Sequence, residues 1–502
     1  MAVIMPGRRD FLDIAKRGKI PPLYSEIPYK RPAGYYAAVA AKNSFLLESI
    51  KGNFNIARYS YAGFAPYLTI IYKDSSLYVK SDEGDAISYK NPLKRLRELI
   101  EAYPQHHNPE LPPFQGGACG MLSYDFVRFL EKIPKTTLDD LKIPDAHFFM
   151  IDRLLSFDHK QKKGWFILCP GVREYKFGFN ALDIDLGTLY DEAVAEIELF
   201  VKTTLIDIPD APEILPYNGI KPEIINNAGD KSRYMEMVSR ALEYIKAGDI
   251  FQANLSQRIS AKINDADPWQ IYLKLSAINP SPFACYFDFD DYSIVSSSPE
   301  RLIRVNLSDG KSPVTTDTRP IAGTRPRGSD FSEDEKLTAE LLLNEKERAE
   351  HIMLIDLERN DIGRVCSYGT VRVDEMMITE AYSHVIHIVS NVTGELKPDK
   401  DCFDVIRAVF PGGTITGVPK VRCMEIIDEL EPVLRGPYTG SCGYIGYNKN
   451  MDLNIIIRTF VIKDGFAHLQ VGAGIVADST PEKEYFETLK KAEALILTLK
   501  SI

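Results

Sequence analysis

No CxxC pair occurs in this chain of 502 residues, and its 7 cysteines are odd in number. Cys119, Cys169, Cys285, Cys366, Cys402, Cys423 and Cys442 lie far apart. That spacing excludes a zinc ribbon and argues against a disulfide framework, so reduced thiols in a cytoplasmic protein are expected. No run of about 18 apolar residues is present, so no membrane-spanning helix is expected. The opening MAVIMPGRRDFLDIAKRGKIPP lacks the apolar stretch of a signal peptide. Positive charge is in deficit, with a formal net charge of −10. Sequence-independent nucleic-acid binding needs a basic footprint and is excluded on that ground. An anionic substrate would have to be held by local arginine, lysine or metal. Repeats of 20–50 residues and low-complexity tracts are lacking too, which removes solenoids and propellers.

What is present reads as an ordinary globular composition, 45% hydrophobic and 26% charged. Short β-branched and aromatic runs (SFLLESI, RYSYAG, YLTIIYK, SLYVKS, GWFILCPG) predict strands in the first part. NPLKRLRELIEAY and LYDEAVAEIELFVKTTL predict helices. A segment rich in Pro, Asn and Asp follows, and it divides the chain into residues 1–205, a linker at 206–229, and residues 230–502. Beyond it DKSRYMEMVSRALEYIKAGDI predicts a helix, capped by Asp230 or Ser232 and ended by Gly248. FQANLSQRIS, FACYFDF, YSIVSSS, LNIIIRTFVI and AHLQVGAG predict strands. Strands and helices do not alternate strictly. The expectation is therefore a mixed α+β fold, with mostly antiparallel sheets in a composite sandwich and helices packed outside.

Two Glu-x-x-Glu pairs stand out, Glu347/Glu350 in EKERAEHIMLIDLERND and Glu484/Glu487 in TPEKEYFETLKKAEALI. Both segments have helical periodicity, and a spacing of three puts each pair on one face. Neighbouring carboxylates repel. Either lysines and arginines such as Lys346, Arg348, Lys483 and Lys490 compensate on a solvated surface, or a hard cation such as Mg²⁺ does.

The text around these pairs is specific. SSSPERL, RPIAGTRPRG, EKERAEHIMLIDLERNDIGRV, YSHVIHIVS, FPGGTITGVPK, LNIIIRT and GAGIVADSTPEKEYFETLKKA follow in order between Ser296 and Ala492. LLES, RYSYAGFAPYLTI and FQGGACGMLSYD precede them. In these stretches the chain resembles the chorismate-utilising enzymes: anthranilate synthase component I, aminodeoxychorismate synthase component I and isochorismate synthase. The resemblance implies chorismate as substrate and Mg²⁺ as cofactor. It implies that Glu350 and Glu487 ligate the metal, with Glu347 and Glu484 supporting them, and that the metal holds the ring carboxylate. Arg458 would pair with the other carboxylate. Tyr438 and the backbone of Gly472, Ala473 and Gly474 would add hydrogen bonds, Lys491 would lie near the carboxylates, and Ala322, Gly323 and Thr324 would line the substrate pocket. Glu300 matches the general acid that protonates the C4 hydroxyl as it leaves, a role that needs a raised pKa. His387 and Thr414 match a polar pair on the other side of the ring.

By the same resemblance the amine comes from ammonia, usually released from glutamine by a Cys-His-Glu glutaminase. No His-x-Glu occurs here, so Cys119 in GGACGML reads as a small buried residue and the glutaminase is expected as a separate subunit. Asn254 in FQANLSQR, together with FPGGTITG and YTGSCGYIGY, favours 4-amino-4-deoxychorismate, the precursor of para-aminobenzoate and folate. Asn254 and Thr416 are expected to tune the pocket against pyruvate loss. Ala322, where many aminodeoxychorismate synthases carry a lysine nucleophile, and IPPLYSEI near the start point instead to anthranilate and tryptophan synthesis. An isochorismate or salicylate synthase ranks third: Ala253 stands where no lysine base is available. A catalytically inactive tryptophan-binding paralogue would lack Glu300, Glu350 or Glu487, and all are present. In relatives LLES and the NPSPF segment form a tryptophan pocket. The matching residues are Glu48 and Ser49 on one side and Asn279, Pro280 and Phe283 on the other; a buried turn joining the sheets is the other reading.

Overall fold

A computed structural model describes residues 3–81, 84–88, 91–175, 185–217, 219, 221–225, 231–307, 313–328, 330–381 and 385–502. Two large sheets organise them. One runs in the order Ile4–Met5, Leu23–Ile27, Lys163–Leu168, Arg153–Asp158, Tyr59–Gly63, Ser44–Glu48, Phe283–Asp288, Ser293–Ser298, Thr459–Lys463, Phe466–Ile475, Gln252–Lys262, Glu223–Ile225. The other runs Ile321–Pro326, Val385–Glu395, Thr315–Thr318, Arg301–Asn306, Met451–Asn454, Ser441–Gly446, Gly117–Leu122, Ala146–Ile151, Leu68–Lys73, Ser76–Ser81, Gly84–Ser88. Pairing between neighbouring strands is antiparallel throughout both, as the mixed α+β reading expects.

Side chains alternate across each strand, and the inner faces of the two sheets meet in a core that includes Phe45, Phe149, Phe287, Ile294, Cys442 and Ile456. Helices cover the outer faces. Pro481–Lys500 packs on Phe466–Ile475 and against Lys231–Ala247, while Glu345–Gly363 lies over Ile321–Pro326 and Val385–Glu395. Of the expected caps, Asp230 lies outside the described residues, and Ser232 sits inside its helix.

Residues 206–229 do not divide the sheets. Ser44–Glu48 pairs with Phe283–Asp288, and Gly117–Leu122 pairs with Ser441–Gly446. The linker segment itself supplies the edge strand Glu223–Ile225. A composition shift marks where the chain runs on the surface; strand pairing at long range is not written there.

The predicted strand LNIIIRTFVI is broken. Met451–Asn454 belongs to one sheet and Thr459–Lys463 to the other, and the chain crosses between them at residues 455–458. Arg458 turns that corner in the left-handed region at φ 51°. A second crossing runs from Ser293–Ser298 to Arg301–Asn306 and carries Glu300. The two crossings are laced together: Ser298 Oγ donates to the Ile455 carbonyl over 2.6 Å, and the Ser297 amide donates to the Arg458 carbonyl over 3.1 Å.

Candidate active site

Glu300 leaves the first crossing as a buried carboxyl. Thr414 Oγ1 donates to its Oε1 over 2.9 Å. Thr414 sits in a short 3₁₀ turn, Gly413–Ile415, which a buried arginine holds in place. Arg435 donates to the Ile415 carbonyl over 2.9 Å and to the Asn254 carbonyl over 2.6 Å, and pairs with the buried Glu431 carboxylate over 2.7 Å. Burial pushes the Glu300 carboxyl up to about 7, against the lowering effects of Thr414, Arg458 and Lys491.

His387 lies on Val385–Glu395 facing the bulged strand Ile321–Pro326, whose register shifts between Ala322 and Thr324. Its Nδ1 is 3.3 Å from the Gly323 carbonyl. Burial, then the charges of Arg458 and Lys491, push the imidazole down to about 3, so the ring is neutral at neutral pH. A neutral ring donating from Nδ1 presents Nε2 as an acceptor. Gly323 occupies the bulge at φ 62°, and a Cβ there would lie 2.3 Å from Glu347 Oε2. Only glycine meets both conditions at once. Ala322 is buried just before the bulge. Thr324 pairs with His387 in the register, and its side chain lies outside the described residues.

The strand Phe466–Ile475 supplies the opposite wall. A Cβ on Gly472 would stand 2.6 Å from Asn254 Oδ1 and 2.7 Å from the Tyr438 hydroxyl. The missing side chain is therefore the space in which these two polar groups meet the backbone. Burial raises the Tyr438 phenol, which keeps it a proton donor. Lys491 Nζ donates to the Gly472 carbonyl over 3.0 Å and pairs with Glu487 over 2.8 Å. Strand alternation turns Ala473 the other way, and its methyl packs in the hydrophobic core. Thr416 is fully buried, and its hydroxyl donates to the Gly412 carbonyl over 2.9 Å.

The two acidic pairs occupy the helices expected for them, Glu345–Gly363 and Pro481–Lys500. Glu347 caps into the first turn, its amide bonded to Asn344 Oδ1, and its Oε1 accepts from Arg325 over 2.6 Å. Its Oε2 is buried with no hydrogen-bond partner among the described residues. Glu350 accepts from Gln252 Nε2 over 3.0 Å, and Glu350 Oε1 lies 3.7 Å from the position a Gly474 Cβ would take. Glu484 is buried, whereas Glu487 is half exposed beside Lys491.

Among the described residues no group of three or more His, Cys, Asp or Glu is arranged to hold a metal. The buried carboxylate oxygen Glu347 Oε2, which has no donor among the described residues, is an acceptor there that suits a hard cation such as Mg²⁺.

Four further residues around this site carry no expectation from the sequence: Gln252, Glu358, Asp361 and Lys420. The signal for two of them lies in the helical period of EKERAEHIMLIDLERND. Glu358 and Asp361 fall on the same buried stripe as His351, Leu354 and Ile355, and acids on a buried stripe are rare.

A separate cavity of about 480 Å³ opens between the sheets, lined in part by Glu48, Ser49, Tyr59, Phe283 and Arg304. Asn279 and Pro280 do not line it. The Glu48 carboxylate is engaged by Tyr272 at 2.7 Å and Arg31 at 3.2 Å, and the Ser49 hydroxyl is 2.8 Å from the Tyr59 carbonyl. Cys119 is fully buried in the sheet core, and burial holds its thiol well above the ordinary range, as a packing residue requires.

The sequence profile of the chorismate-binding enzymes matches residues 42–497. The chain belongs to that family. It is 43% identical over 463 residues to aminodeoxychorismate synthase component 1 of Bacillus subtilis, covering 91% of this chain and 92% of the relative. It is 40% identical over 518 residues to anthranilate synthase component 1 of Synechocystis, covering 100% of both. Among solved structures, anthranilate synthase component I of Streptococcus pneumoniae superposes with a TM-score of 0.74 at 34% identity, over 87% of this chain and 92% of that one. One of these relatives is named for aminodeoxychorismate and the other for anthranilate. No helix among the described residues is long and apolar enough to cross a membrane.

Proposed function

We propose that this chain aminates chorismate to 4-amino-4-deoxychorismate, with Mg²⁺ bound and ammonia delivered by a separate glutaminase subunit in the cytoplasm. The observation that carries this reading is Glu300: a buried carboxyl, hydrogen-bonded by Thr414, that stays protonated close to neutral pH between the cations Arg458 and Lys491. A dianionic substrate needs those cations, and a departing hydroxyl needs that proton. Arg458 binds one carboxylate. Glu350 and Glu487, supported by Glu347 and Glu484, would hold Mg²⁺. The bound ion would supply positive charge for the ring carboxylate, which the acidic helix faces would otherwise repel.

In the reaction the C4–O bond breaks, Glu300 gives its proton to the leaving oxygen, and water departs. Ammonia adds one C–N bond and gives up one proton, so Glu300 is reprotonated over the cycle. Tyr438 and His387 orient the ring, and Asn254 and Thr416 tune the pocket so that C3–O protonation, and with it pyruvate loss, is disfavoured. Ala322 cannot form a covalent adduct at C2, so either the substitution is direct or a free nucleophile serves there.

A second reading, anthranilate formation, draws on Ala322 and on the cavity beside Glu48 and Ser49, which has the size of an amino-acid site and would take tryptophan. Product identification separates the two. Purified protein is supplied with chorismate, Mg²⁺ and ammonium. Para-aminobenzoate appearing only after addition of the lyase supports the first. Fluorescent anthranilate without lyase, inhibited by tryptophan, overturns it in favour of the second.

A further inference from the structure

We propose that Glu358 is a positioning residue for the general acid: its carboxyl and that of Glu300 flank one buried turn, and negative charge on Glu358 opposes ionisation of Glu300, so that Glu300 enters the reaction protonated. The inference rests on the general-acid reading of Glu300.

The helix Glu345–Gly363 presents Glu347 and Glu350 near its start, and its buried stripe then continues inward to Glu358 and Asp361. A buried carboxylate is costly unless it is paired or neutral. Asp361 is paired, with the Lys420 ammonium. Lys420 Nζ also donates to the Val409 carbonyl over 2.9 Å and the Pro411 carbonyl over 2.8 Å. An ammonium has three donors, and these partners take all of them. None remains for Glu358, which has the Thr318 hydroxyl as its hydrogen-bonding neighbour.

The same lysine holds the chain leading into the turn that carries Thr414, because it binds the carbonyls of Val409 and of Pro411, the residue before Gly412. Glu358 closes on that turn from behind: a Cβ on Gly413 would be 3.2 Å from Glu358 Oε1. The next residue, Thr414, bonds Glu300 from the front over 2.9 Å. The charged groups facing Glu358 are Asp361 on its own helix, Lys420 and Glu300; those facing Glu300 are Arg458 and Lys491, with neutral His387 beyond. Burial, then the charge of Asp361, raise Glu358. Like charges on the two sides of so short a turn repel, so an ionised Glu358 makes loss of the Glu300 proton harder.

The test is the pH profile of kcat at saturating chorismate and constant free ammonia, for the unmodified protein, Glu358→Gln and Glu300→Gln. The proposal expects the alkaline limb of Glu358→Gln to move down by about one pH unit, a tenfold loss on that limb. An unmoved limb in Glu358→Gln, with Glu300→Gln inactive, overturns the proposal and leaves the general acid standing. Turnover retained in Glu300→Gln overturns the general-acid reading itself. If Glu358→Gln does not fold, infrared titration of protonated carboxyls in Glu300→Gln decides. A buried carboxyl that titrates at lower pH there than in the unmodified protein supports the proposal, and titrations that differ only by the loss of the Glu300 signal overturn it.

Discussion

The amide of Ile455 donates to the carbonyl of Glu300 over 3.0 Å. This bond joins the two points at which the chain passes from one sheet to the other, and it sets Glu300 and the corner ending in Arg458 side by side. The predictions below start from that arrangement.

Replacing Glu300 by Gln removes the proton but keeps the shape and the Thr414 contact. kcat is expected to fall by about 10²–10⁴, with chorismate binding nearly unchanged, as read by steady-state kinetics and a binding titration. The protonated form is the active one, so activity of the unmodified protein falls as pH rises through about 7. The same group has a stability signature. Its folded pKa lies above its ordinary value, so its contribution is fully present below that ordinary value and is lost as pH rises through about 7. Urea unfolding of Glu300→Gln should lack that loss.

His387 works in the opposite direction. Its folded pKa is lowered to about 3, so the stability it brings is present above the ordinary histidine value and is lost as pH falls below it. His387→Gln should lose less stability than the unmodified protein between about pH 6.5 and 4 in parallel unfolding curves. Buried His147, His351 and His468 contribute equally to both proteins and cancel in the difference.

Gly472→Ala places a methyl where Asn254 Oδ1, the Tyr438 hydroxyl and the Leu255 carbonyl already stand within 2.8 Å. The side chains can move but the carbonyl belongs to a paired strand. The expected cost is about 1–3 kcal/mol of stability, together with a rise in KM for chorismate larger than the change in kcat. An unchanged KM would place the ring elsewhere.

Exhaustive chelation should abolish activity, and added Mg²⁺ should restore it. Glu350→Gln and Glu487→Gln should each weaken Mg²⁺ and chorismate together, measured by titration calorimetry with and without substrate. Full activity after chelation would remove the metal from the mechanism.

The isolated chain should use ammonium and not glutamine. Product formed from glutamine in ammonium-free buffer, without a second subunit, would contradict the absence of a Cys-His-Glu set.

Much of this was legible in the linear text because it is local. The helices that carry Glu347/Glu350 and Glu484/Glu487 follow from period, and the predicted strands FQANLSQRIS and FACYFDF follow from composition. LNIIIRTFVI misled because its β-formers, Ile455–Ile457 and Thr459–Ile462, specify extended backbone without saying which sheet each end joins. The break at Arg458 depends on partners more than a hundred residues away in sequence, among them Ser297 and Ser298. Ala473 shows the same limit at the scale of one residue. The motif suggested a backbone contact there, and it says nothing of the side chain, which strand alternation sends to the core. Glu358 was missed for the reverse reason. It sits in a stretch rich in charge, and only the buried face of the folded helix separates it from the solvated acids around it.

The crossings at Glu300 and Arg458 also bear on how the protein fails. Because Glu300 and Arg458 stand where the chain threads between the layers, slight parting of the layers at that seam would disturb the proposed proton donor and carboxylate clamp while every helix and most strand pairing persist. In mild denaturant, inactivation should therefore precede loss of far-ultraviolet circular dichroism, and a ligand spanning the seam should act as a staple that brings the two transitions together.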